Sequence, residues 1–151
     1  MSELSRRLRQ LSSALQWRSL QYEKAQQDLA RTLQNQRELE QLLAEKTKAY
    51  HSLFDQHQRP VAVGGNVDPA MFEQRLLALM KLRSNVLSLQ HDVSEAQQAV
   101  KQASVSTTES KLAVEAVTKA YDRAFSAVQV RAYEHERIDI FESSCRQGAS
   151  R

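Results

Sequence analysis

The fold is decided at residues 59–69, which read RPVAVGGNVDP. This short stretch holds both prolines of the 151-residue chain and two of its three glycines. Pro60 lacks a backbone donor and disfavours helix at the preceding residue, so a helix that reaches this point ends here. Asp68 followed by Pro69 is typical of an N-cap and a first helical position. The stretch therefore predicts one reversal of the chain between two helices.

Before this stretch, apolar side chains recur at alternating spacings of four and three residues. Eleven of the fifteen positions in this first seam are apolar or aromatic, the pattern of a coiled-coil helix. The polar exceptions are Arg18, Thr32, Gln36 and Lys46. The apolar members are Leu4, Leu8, Leu11, Leu15, Tyr22, Ala25, Leu29, Leu39, Leu43, Tyr50 and Leu53. The seam predicts a first helix over about residues 3–58.

A second seam follows Pro69, with one slip in its spacing between Leu79 and Leu82. It predicts a second helix over about residues 69–145, joined to the first by a loop at 59–68. A loop this short between two long seams predicts an antiparallel pair, with Leu43 opposite Val86 and Tyr22 opposite Thr107. Further seam members are Phe72, Leu76, Val93, Ala96, Val100, Val114, Val117, Tyr121, Ala124 and Val128. The expected fold is all-α: one long antiparallel two-helix coiled coil, an α-hairpin over residues 1–151 with its loop near 60–69.

Composition excludes several classes of protein. No apolar run approaches the roughly 20 residues that a transmembrane helix needs, and residues 1–7, MSELSRR, lack the apolar core of a secretory signal. The single cysteine, Cys145, excludes a disulfide framework and favours a reducing, cytoplasmic setting. A net charge of +3 is too small to indicate nucleic-acid binding. Because both seams can be satisfied within one chain, we expect a monomer.

The sequence offers little for catalysis or for binding a cofactor. His51 and His57 are six residues apart and so lie on different faces of the predicted helix, and no cysteine or carboxylate completes a metal site. We interpret all four histidines, with His91 and His135, as surface residues. No phosphate-binding, nucleophile or zinc-protease motif occurs. A two-helix pair also has no closed pocket in which pKa values would shift. We expect no enzyme activity, no cofactor and no metal.

Large apolar side chains gather on both sides of the loop. Some of them belong to the seams and can close the end of the hairpin, whereas others lie off-seam, where a two-helix pair cannot bury them. Exposed apolar surface of this kind marks a partner site. A packed plug and a binding patch both remain open at this point. The side chains concerned are Tyr50, Leu53, Phe54, Met71, Phe72, Leu76, Leu77 and Met80.

Three features of the chain resemble the FliJ/YscO (SctO) family of flagellar and virulence type III secretion proteins. They are the arginine-rich start of the first seam (Leu4 to Leu15), the opening of helix 2 (residues 68–76, DPAMFEQRL), and the tail (residues 136–142, ERIDIFE, followed by Arg146). Members of the family are cytoplasmic antiparallel two-helix coiled coils of similar length. The resemblance covers nearly the whole chain.

The resemblance implies a non-enzymatic central stalk of a type III secretion export apparatus. Such a stalk inserts into a hexameric secretion ATPase, reaches the cytoplasmic domain of an export gate protein at the inner membrane, and in some members escorts secretion chaperones. The implied gate-binding residues are Leu39, Leu43, Lys46, Tyr50, Phe72, Leu76, Leu79 and Arg83. The implied ATPase-facing residues are Arg6, Arg7, Arg9, Arg131 and Arg137. Two alternatives stay open: a structural coiled-coil tether, and an adaptor or chaperone unrelated to secretion.

Overall fold

The computed structural model describes residues 3–58 and 68–149, and every one of these residues except Asp68 is helical. Helix α1 runs over Glu3–Gln58 and helix α2 over Pro69–Ala149. The predicted all-α antiparallel helical hairpin is confirmed. Helix α1 has its predicted bounds, and α2 continues four residues beyond the predicted end at 145. Apart from Asp68, the predicted loop lies outside the described residues.

The start of α2 shows the cap that the sequence predicts. The Oδ1 atom of Asp68 accepts a hydrogen bond from the backbone N–H of Ala70 at 3.0 Å, and the Asp68 carbonyl accepts one from the N–H of Phe72 at 3.1 Å. Pro69 occupies the first helical position, where its missing donor has no cost. Asp68 thus satisfies one of the unpaired N–H groups at the helix start.

The chain packs as two compact units, which are described separately. The loop-side unit is Gln27–Val105, and the terminal unit is Met1–Gln26 together with Ser106–Arg151. Each unit contains a segment of α1 and a segment of α2. The expectation that residues 1–151 form a single folding unit stays a prediction.

In the loop-side unit, the two seams pack as their spacing predicts, except at Phe72 and Leu76, which are exposed. The deepest side chains are Leu79, Val93 and Ala96 on α2, all buried. On α1 no residue is fully buried, although every seam position in this unit is partly buried, including the polar exceptions Gln36 and Lys46. A helix in a two-helix pair is covered on one side only, so the core of this unit is a thin strip rather than a thick interior.

In the terminal unit, Ala124 is the buried seam residue, and Leu4, Leu8 and Leu15 are partly buried. The hydroxyl of Thr107 donates a hydrogen bond to the Ala25 carbonyl at 3.2 Å, one helical turn from its predicted partner Tyr22. This bond joins the two helices directly, in the antiparallel arrangement and close to the predicted register.

Arg18 is the one α1 seam position whose side chain is exposed. Its guanidinium lies 5.1 Å from the ring centroid of Trp17 and donates to the Oε1 atom of Gln21 at 3.4 Å. A long cationic side chain on the seam can turn outward and cover a neighbouring ring, an arrangement favoured by cation–π attraction.

Neither described helix contains a stretch long and apolar enough to cross a membrane.

Candidate functional site

The strongest candidate site is an exposed apolar surface at the start of α2. We call it the loop-side patch and define it as Met71, Phe72, Leu76, Leu77 and Met80. Met71, Leu77 and Met80 are each more than half exposed, while Phe72 is 48% and Leu76 42% exposed. Five large apolar side chains within ten residues, all open to solvent, form a surface of the kind that marks interaction sites.

Phe72 and Leu76 were expected on the seam, and their exposure has a structural cause. The seam slips at Leu79, which is buried. At about 100° per residue, Leu76 lies roughly 60° around the helix from Leu79, so it points to one side of the helix pair. Phe72 lies closer to the seam direction, but it is only three residues from the start of the helix, where less of α1 remains to cover it.

One contact ties the loop-side patch to α1. The rings of His57 and Phe72 lie 4.7 Å apart between centroids, with an interplanar angle of 37°. His57 is partly buried, so the interpretation of all four histidines as surface residues was wrong for this one. The antiparallel pairing that sets Leu43 opposite Val86 also sets His57 opposite Phe72, and this signal was present in the sequence. Phe72 therefore contributes to packing and to the exposed surface at once.

Tyr50, implied by the resemblance as a gate-binding residue, contacts two rings of its own helix. Its ring stacks on Phe54, with centroids 6.0 Å apart and an interplanar angle of 25°, and meets the edge of His51 at 5.7 Å. Both Tyr50 and Phe54 are partly buried. These α1 rings support one another along their own helix.

The other residues implied as gate-binding differ in how far their side chains are buried. Leu39, Leu43 and Lys46 are partly buried seam positions, and Leu79 is buried, so these side chains serve mainly to hold the helices together. Leu43 also borders an open groove of about 540 Å³ on α1 that includes Glu40, Ala44, Thr47, Lys48 and His51. Arg83 is exposed. The structure thus leaves Phe72, Leu76 and Arg83 as the predicted residues that a partner can reach most readily.

Arg83 belongs to a row that sequence reasoning missed. Leu76, Met80, Arg83 and Leu87 are spaced four, three and four residues apart, so they follow one face of α2. Met80 and Leu87 are each more than half exposed. This row repeats the seam's own spacing on a neighbouring face, and that repetition could have revealed it. It extends the loop-side patch by about one heptad and adds one positive charge.

The predicted ATPase-facing arginines all lie in the terminal unit and are exposed. On α1, Arg6, Arg7 and Arg9 follow one acidic residue, Glu3, so the start of this helix carries a local positive charge. On α2, Arg131 and Arg137 are interspersed with acidic residues. The positive potential is therefore concentrated on the first turns of α1.

The described residues contain no group of three His, Cys, Asp or Glu side chains that could hold a metal ion. Cys145 is exposed on α2. His91 pairs with Glu95 at 3.1 Å on the surface of α2, a local contact one turn apart. These side chains add no further candidate site.

Comparisons with family models, curated proteins and solved structures find no match to this chain.

Proposed function

We propose that this chain is a non-enzymatic central stalk of a type III secretion export apparatus, which links a hexameric secretion ATPase to the cytoplasmic domain of an export gate protein. The observation that carries the proposal is the loop-side patch, defined above. A two-helix protein that exposes five large apolar side chains beside its loop has a surface suited to a protein partner. The resemblance to the FliJ/YscO family indicates which partner that is.

The loop-side patch has the composition of an interface centre. Phe72 and Leu76 are large anchors, and Met71 and Met80 are flexible side chains that adapt to a partner's shape. Arg83 supplies a charged rim on the same side of α2. We expect the export gate to bind here, with Leu79 and the α1 seam residues supporting the surface from beneath.

The ATPase contact is assigned to the start of α1. A single helix pair inside a six-fold ring cannot match every subunit with the same contacts. Exposed charges tolerate this mismatch, because they act over a distance and need no fixed geometry. Arg6, Arg7 and Arg9 provide such charges, with Arg131 and Arg137 of α2 as secondary contributors. The proposed location is the cytoplasm, at the inner-membrane export apparatus, where secretion chaperones are a further partner.

Gate binding is tested by replacing the two anchors together, Phe72→Ala with Leu76→Ala. The affinity of the chain for the gate's cytoplasmic domain is expected to fall at least about 30-fold, since an interface anchor contributes about 2 kcal/mol or more. Leu112→Ala is the matched control, because Leu112 is 59% exposed on α2 in the terminal unit. A chain with this substitution is expected to bind the gate with unchanged affinity. Circular dichroism checks that each variant remains helical.

Two outcomes would contradict the gate assignment. One is a double variant that stays folded and binds the gate as tightly as the original chain. The other is an equal loss in the Leu112→Ala control, which would mean that binding is not localised to the loop-side patch. If the original chain binds neither gate nor ATPase, a structural tether or an unrelated adaptor becomes the better explanation.

The ATPase contact is tested by reversing Arg6, Arg7 and Arg9 to glutamate and measuring how strongly the chain stimulates ATP hydrolysis by the secretion ATPase. Stimulation is expected to fall, and the difference from the original chain is expected to shrink at high salt, because exposed charges are screened. The control is reversal of Arg31 and Arg37, which are exposed on α1 in the loop-side unit. Stimulation that survives reversal at the start of α1 would place the ATPase contact elsewhere.

A further inference from the structure

The packed seam of α2 stops at Val128. Ala124 is buried and Val128 partly buried, but every described residue from Gln129 onward is exposed. Continuing the seam's spacing past Val128 reaches Arg131, His135, Ile138 and Glu142, of which only Ile138 is apolar. The last part of the helix, residues 129–149, therefore does not extend the interface with α1.

This tail nevertheless carries a second apolar face. At about 100° per residue, Val130, Arg137 and Phe141 share one face, which lies roughly 140° around the helix from the seam. Glu134, Arg137, Ile138 and Phe141 line one open depression of about 370 Å³ on that face. Five large apolar side chains of the tail are each more than half exposed: Val130, Tyr133, Ile138, Ile140 and Phe141.

The centre of this face is complementary to a reversed copy of itself. Its core row is Val130, Glu134, Arg137 and Phe141, spaced four, three and four residues apart as in a heptad repeat. An acidic and a basic residue occupy the middle of the row, and an apolar residue lies at each end. When the row is aligned with a reversed copy of itself, each apolar residue faces an apolar residue and each charged residue faces one of opposite charge.

We propose that this tail face binds the tail of a second copy of the same chain, antiparallel, about a two-fold axis between His135 and Glu136. In that arrangement each Glu134 faces Arg137 of the other copy, and each Val130 faces Phe141. The bordering side chains Tyr133 and Ile140 meet across the same axis. All five exposed apolar side chains of the tail then lie at the interface or its edge. This inference does not depend on the proposed function, and it replaces the expectation of a monomer, which took only the two seams into account.

Charge makes the pairing selective for one orientation. In a parallel pair, Glu134 would face Glu134 and Arg137 would face Arg137, and like charges in a helix interface are repulsive. The antiparallel pair removes both repulsions and replaces them with two ion pairs. Burying those pairs costs desolvation energy, so they specify orientation more than they add affinity. Because the row covers only two heptads, its area is at the small end for specific interfaces, and association is weak and concentration-dependent.

The tail face overlaps a predicted ATPase contact, because Arg137 lies in its core row and Arg131 at its border. If both assignments hold, self-association and ATPase binding compete for the same side chains. The two assignments are tested independently, since self-association is measured on the purified chain alone.

The association is measured by sedimentation velocity of the full chain over a range of concentrations. Glu134→Arg and Arg137→Glu each place like charges face to face, so each is expected to weaken self-association at least about tenfold. An equimolar mixture of the two variants restores both ion pairs and is expected to associate as the original chain does. Asp139→Arg and Arg146→Glu are matched controls, because they make the same charge changes on the far side of the tail.

Orientation is measured with a spin label on Cys145, the only cysteine of the chain and an exposed one. The antiparallel pair places the two labelled positions about 30 Å apart, from a rise of about 1.5 Å per residue and an interaxial distance near 10 Å. A parallel pair would place them only about 10 Å apart. Three results would each overturn the proposal: a label distance near that of the parallel pair, a chain that stays monomeric at the highest concentrations, or self-association that the charge reversals leave unchanged.

Discussion

Two leucines on the same turn of α2 give a sharp test of how the hairpin is held together. Leu79 is 6% exposed and Leu77 is 58% exposed, although they are only two residues apart. Complete burial of a leucine side chain contributes about 1.5–3 kcal/mol, and truncating a buried leucine to alanine costs about 2–5 kcal/mol once the residual cavity is included. A thin two-helix interface can relax around a lost side chain, so we expect Leu79→Ala to lower the free energy of unfolding by about 2–3 kcal/mol.

Leu77→Ala serves as the matched control, since it removes the same atoms from an exposed position. This substitution is expected to change the free energy of unfolding by no more than about 0.5 kcal/mol. Alanine's slightly higher helix propensity acts in the stabilising direction. Urea unfolding followed by circular dichroism measures both variants, and a slope near 2 kcal/mol/M converts the loss at Leu79 into a drop in midpoint of about 1 M. Equal losses in the two variants would refute the assignment of Leu79 to the core and of Leu77 to the surface.

Three smaller effects follow from individual contacts. Asp68→Ala removes the side-chain cap of α2 and is expected to lower the free energy of unfolding, measured in urea, by about 1 kcal/mol. Asp68→Ser keeps a capping oxygen and is expected to retain most of that stability; an equal loss in both variants would argue against capping. Thr107→Val removes the hydrogen bond to the Ala25 carbonyl and is expected to cost up to about 1 kcal/mol, whereas Thr118→Val, whose hydroxyl bonds Val114 of its own helix, is the control for a bond that does not join the helices. His57→Ala removes the ring beside Phe72 and is expected to cost about 0.5–1 kcal/mol, while His135→Ala, at an exposed tail position, is expected to leave the unfolding midpoint unchanged.

Periodicity was sufficient to predict the hairpin and most of its seam. The spacing of four and three residues placed Val93, Ala96 and Ala124 correctly in the core, because a residue's direction from a helix depends only on its position along the chain. Asp68 as the N-cap of α2 was equally predictable, since proline at the next position leaves few other starts for the helix.

The candidate surfaces were less predictable, because exposure depends on how much of the partner helix remains opposite. The seam slip at Leu79 moves Leu76 to one side of the helix pair, and nothing in the residue types distinguishes a seam leucine from one beside the seam. His57 was misinterpreted for the opposite reason, since a histidine gives no apolar signal yet packs against Phe72. The second face of the tail was not predicted because it begins at Val130, just beyond the last packed seam residue, Val128, and lies on a different side of the helix from the seam.

Co-elution of three purified proteins tests the central claim most directly. The chain is mixed with the hexameric secretion ATPase and the cytoplasmic domain of the export gate, and the mixture is separated by size-exclusion chromatography. Since the loop-side patch and the start of α1 have no residue in common, we expect a single complex that contains all three proteins. We expect Phe72→Ala with Leu76→Ala to release the gate and leave the ATPase bound. A chain that binds neither protein, or that releases the ATPase whenever it binds the gate, would contradict a stalk that links the two.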